Sequence, residues 1–105
     1  IMSSPEPRIV NISLKDGAVV FEPQRCRARR NDVIVWRCEP GHFAIEFFDG
    51  TPLDTVDAHS DARHQAHRTV RADAPPDIYR YACAVCVDGR VYLDACCPSI
   101  IIDHP

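Results

Sequence analysis

Turn signals recur along this chain at intervals too short for helices of ordinary length. Asp16-Gly17, Pro23, Asn31-Asp32, Glu39-Pro40-Gly41, Asp49-Gly50, Pro75-Pro76 and Asp88-Gly89 break it into short pieces. Glycine and asparagine tolerate positive φ, aspartate caps turns, and proline ends a run by lacking an N–H. Between these breaks lie stretches that alternate apolar and polar residues, the period of a half-buried strand. They cover Arg8 to Leu14, Ala18 to Phe21, Arg25 to Arg30, Val33 to Cys38, His42 to Phe48, His67 to Ala72 and Ile78 to Cys83, with Ile100 to Ile102 as a short buried run. About seven short strands with little helix point to an all-β fold, a Greek-key β-sandwich or barrel. Thr51 to Ala66 is the exception. It is polar, reads as a surface excursion, and offers a helical turn or two between Thr55 and Gln65.

At 105 residues the chain has room for one domain, residues 8–105, after a polar, proline-containing lead-in at 1–7. A chain of this size can bury an ordinary core without staples. The net charge of −3 gives no reason to expect a nucleic-acid or anionic-membrane partner. No apolar run approaches the ~20 residues that span a bilayer. Ile1 to Pro7 lacks the three regions of a signal peptide. Made without export, the protein would keep its thiols reduced; with a leader removed, the reverse would hold.

The thiols are the feature with chemistry in it. Cys83, Cys86, Cys96 and Cys97 fall in the last quarter of the chain, between the strand-like Ile78–Cys83 and Ile100–Ile102. The spacing reads as a loop carrying thiols between two core strands, and such a loop serves as a metal site or a disulfide staple. Cys26 and Cys38 lie on earlier strands. If those strands are adjacent, their Cα atoms could come within the ~7 Å a disulfide needs. Six cysteines allow 15 full pairings, so counting decides nothing.

Two stretches resemble the cupredoxins. The first runs from Phe21-Glu22-Pro23 through Cys26, Ala28 and Asn31-Asp32-Val33-Ile34-Val35-Trp36 to His42-Phe43-Ala44-Ile45-Glu46-Phe47. The second is Pro75-Pro76-Asp77-Ile78-Tyr79-Arg80-Tyr81-Ala82-Cys83, with Ser99 to Asp103 similar to the closing strand. The resemblance implies a Greek-key sandwich with Trp36 inside. It also implies an electron carrier binding copper through two histidines, a cysteine and a weak methionine. His42 matches the first histidine and Cys83 the cysteine. Cys86 stands where the second histidine belongs, Cys96 or Cys97 where the methionine belongs, and Cys38 where many relatives have an asparagine.

A His42, Cys83, Cys86 and Cys96 or Cys97 set suits tetrahedral zinc or Cu(I) better than a blue-copper centre. The competing reading has no metal: an interaction domain stapled by disulfides, with Cys86 joined to Cys96 or Cys97 and Cys26 to Cys38. A hydrolase using Cys83 with His42 lacks any visible oxyanion element. His59, His64 and His67 read as solvated loop residues, or as a second metal site, or as a histidine folding over the first. Arg25, Arg27 and Arg29 form one face of a strand, an ordinary wet edge or a docking patch for an acidic partner. The sequence therefore predicts a non-enzymatic, cupredoxin-like binding protein. Its remodelled thiol loop would hold copper, another soft ion or none, and its partner would be a protein.

Overall fold

The computed structural model describes residues 7–94 and 97–103. The chain is all-β, with two mixed sheets not closed into a barrel. Ten strands are present among the described residues, more than the seven expected. They are β1 (Pro7–Lys15), β2 (Ala18–Glu22), β3 (Arg25–Ala28), β4 (Val33–Cys38), β5 (His42–Phe47), β6 (Asp57–His59), β7 (Gln65–Thr69), β8 (Asp77–Val87), β9 (Arg90–Leu93) and β10 (Ser99–Ile102). The first sheet has the order β2-β1-β4-β7. The second has the order β3-β10-β8-β5-β6, with β9 also paired to β8. The pairs β1–β4 and β3–β10 are parallel; the other named pairs are antiparallel.

One added strand, β6, comes from the 51–66 excursion, and β7 is the strand expected at 67–72, shifted to begin at Gln65 and end at Thr69. The excursion holds no helix, and its apolar residues are few but well placed. Pro52, Leu53, Ala58 and Ala66 are buried. Leu53 bridges to Val70, β6 pairs with β5, and β7 pairs with β4. A second comes from the presumed thiol loop. β8 runs on through Cys86 to Val87, turns at Asp88-Gly89 (φ 51° and 78°) and returns as β9. Positive φ at both central residues is the hairpin turn that matches strand twist. Asp16-Gly17 repeats it between β1 and β2.

The core lies between the sheets. Trp36 is fully buried, and its Nε1–H donates to the Tyr81 hydroxyl at 3.2 Å. Tyr81 also meets Trp36 and Phe21 edge-on, with centroids 5.8 and 6.0 Å away, and Phe47 at 5.1 Å. A buried indole and a buried phenol each need a polar partner, and here each supplies the other's. At one end, Asp32 closes the turn before β4. Its Oδ2 accepts the Arg29 backbone N–H at 2.9 Å and the Arg8 Nε–H at 3.1 Å.

Candidate functional site

β8 carries both thiols of the Cys-x2-Cys pair, and its burial alternates along its length. Tyr79, Tyr81, Cys83 and Val85 are buried; Arg80, Ala82 and Cys86 are exposed and Ala84 is half-buried between them. Successive strand residues point to opposite faces, so an offset of three separates Cys83 from Cys86 by the thickness of the sheet. Cys83 is 2% exposed. Its backbone N–H donates to Asp94 Oδ1 at 2.8 Å. Burial, with Cys38 and Asp94 nearby, pushes its thiol up to about 12. A buried thiol raised in this way is a poor nucleophile.

Cys86 stands on the outer face, directly across from His42 in the β5–β8 register. The close approach of these strand ends depends on Gly41. A Cβ there would lie 2.1 Å from the Cys86 carbonyl oxygen. The His42 Nδ1 lies 3.0 Å from Ser60 Oγ, which also accepts the Phe43 backbone N–H at 2.9 Å. His64 meets His42 with ring centroids 4.4 Å apart at 71°. It is held there by the 61–65 turn. Asp61 Oδ1 accepts the N–H groups of Arg63 and Gln65 at 2.8 and 3.0 Å, and these bonds hold its carboxyl below the usual range. His64 itself has φ 61°, and its carbonyl accepts the Cys38 N–H at 3.0 Å.

The sequence-derived ligand set is therefore divided. His42 and Cys86 are neighbours outside, Cys83 is inside, and Cys97 is exposed just before β10. Cys96 lies outside the described residues. Among the described residues no three histidine, cysteine, aspartate or glutamate side chains are grouped to hold a metal ion. The five described cysteines are free thiols. Cys26 and Cys38 are free thiols on consecutive strands that belong to different sheets, so they are not the adjacent-strand pair expected. Burial raises both thiols. The histidine trio disperses as well. His59 lies beside Ala44 on β6, and His67 lies opposite Val35 in the first sheet.

What surrounds Cys86 and His42 is a groove that the sequence reading did not find. Ala44, Ala82 and Ala84 form the floor of an open depression of about 440 Å³, with Glu46, Asp57 and His59 on one side and Leu93 and Asp94 on the other. A shallower part of about 250 Å³ continues past Ala44 and Ala84 to His42, Cys86 and Val91. The available signal was the small outward residues of β8 beside the exposed apolar Val91 and Leu93. No family model and no curated protein matches the chain. No helix among the described residues is long and apolar enough to cross a membrane.

Proposed function

We propose that this chain is a non-enzymatic, cupredoxin-like Greek-key module that binds a protein partner through the outer face of its second sheet and lacks the family's copper centre. The order of the family-like motifs supports the scaffold reading, as do the parallel β1–β4 and β3–β10 pairs that tie the chain's start to its later strands. The observation that carries the functional reading is the inward position of Cys83. With Cys83 buried and His42 and Cys86 on the outer face, the residues that the resemblance assigns to copper are divided between the two sides of the sheet, which favours a reading without a His2Cys centre. What faces solvent is a small-residue groove beside exposed apolar side chains, the composition of a recognition surface. Copper titration tests it. Loaded protein should lack the intense blue thiolate-to-Cu(II) absorption, and Cys83→Ser should leave copper retention unchanged. A blue band lost in Cys83→Ser would sink the reading.

One observation favours a narrower soft-metal reading. His42 faces Cys86 across the strands and His64 leans on His42. Among the described residues these three are not grouped as a metal site, so this reading requires an ion to draw them together with Cys96 or Cys97, a set that would suit zinc or Cu(I). Elemental analysis of purified protein separates the two. One equivalent of metal lost in Cys86→Ser and kept in Cys83→Ser selects this second reading.

A further inference from the structure

The outer face of the second sheet is complementary to itself. On one side of β8, Ala84 lies beside Leu93 and Cys86 beside Val91. On the other side, the same two residues lie beside Ala44 and His42. Val91 and Leu93 are 66% and 69% exposed, so β9 makes an apolar ridge, while Ala44 and Ala84 line the trough next to it. The charges are separated in the same way. Arg25 lies two strands out from β8 on the β9 side of the face, and Arg80 lies on β8 itself, with Ser99 between them. Glu46 and Asp57 face each other on the β6 side. Like charges placed opposite each other destabilise a sheet. Among the described residues, none of these four side chains has an ion-pair partner.

We propose that a second copy of this chain docks on this face, about a two-fold axis running along β8. This deepens the interaction-module reading and rests on it. Such an axis exchanges the two sides of β8. Leu93 enters the trough at the partner's Ala44, and Val91 meets the partner's His42. Arg25 comes within a residue row of the partner's Asp57, and Arg80, on the axis beside the partner's Arg80, reaches the partner's Glu46 one row away. Symmetry makes each contact twice, as an isologous interface requires. Ala82 and Ala84 lie on the axis, where small side chains let two sheets approach to the usual ~10 Å. Cys86 then lies against the partner's Cys86.

Sedimentation equilibrium over a concentration series tests the association. A short bismaleimide tests the geometry, with Cys96→Ser and Cys97→Ser in place so that Cys86 is the exposed thiol. We expect reversible dimers and a Cys86–Cys86 cross-link. Ala84→Arg should weaken association at least tenfold. Should that variant not fold, Arg25→Glu and Asp57→Arg serve instead: each alone weakens the dimer and the pair together restores it. Dimers that ignore these changes and give no cross-link would use another face and overturn the proposal. So would a chain that stays monomeric. In that case, immobilised wild-type protein that captures a different protein, which Ala84→Arg fails to capture, leaves the module reading standing. A monomer that captures nothing through this face overturns both.

Discussion

Trp36 and Tyr81 hold the centre of the sandwich as a pair. Trp36→Ala removes the largest fully buried side chain and should cost about 3–5 kcal/mol, the usual range for such truncations. Tyr81→Phe keeps the ring packing but strands a buried indole N–H, so about 1–3 kcal/mol should go. Denaturant unfolding measures both, and a loss below ~1 kcal/mol for Trp36→Ala is inconsistent with its place in the core. Cys83 adds a pH dependence. Its folded value stands near 12 against an ordinary 9.0. Below pH 9 both states hold the proton and stability is flat in this group. As pH climbs from 9 towards 12 the unfolded chain releases the proton and the folded one does not, so stability falls, by at most ~1.4 kcal/mol per pH unit. Cys83→Val should flatten that limb; an unchanged slope would place the thiol in water.

At the scale of elements, the β8–β9 hairpin decides how the thiols are arranged. A Cys-x2-Cys pair chelates when the chain curls between the two residues. On an extended strand the same spacing sends them to opposite faces. The alternation that marks Ile78 to Cys83 continues through Ala84-Val85-Cys86, and Asp88-Gly89 already signalled the turn, so the hairpin was legible there. The strand at 57–59 was not, and the one at 65–69 was expected two residues late, at 67–72. Their inward residues are single alanines, too little apolar surface to register as a period, and their pairing depends on neighbours distant in sequence. Trp36 was placed correctly because a large apolar side chain on an alternating strand has one good place to go. Gly41 was read as a strand breaker. It is also the point of contact between β5 and β8. Gly41→Ala should therefore cost about 1–3 kcal/mol by forcing those strand ends apart. A substitution that thermal unfolding finds neutral would mean the ends already have room.

For the whole molecule, the two sheets sort the cysteines into an inside set and an outside set. Cys26, Cys38 and Cys83 are buried in the core, and Cys86 and Cys97 are exposed. A copper carrier needs its cysteine and histidine to converge at one end of the sandwich. Here Cys83 faces inward, while His42 stands outside beside Cys86. The outer face is then free to carry alanines, an apolar ridge and separated charges, which suits recognition more than ligation. Alkylation of the native protein, read by mass spectrometry residue by residue, tests this division most directly. It is run untreated, with a chelator, and with a reductant. The expected result is that Cys86 labels in all three conditions at similar rates, while Cys83 labels only after denaturation. Joint labelling of Cys83 and Cys86 on adding the chelator alone would contradict the account, because it would put both thiols on one ion.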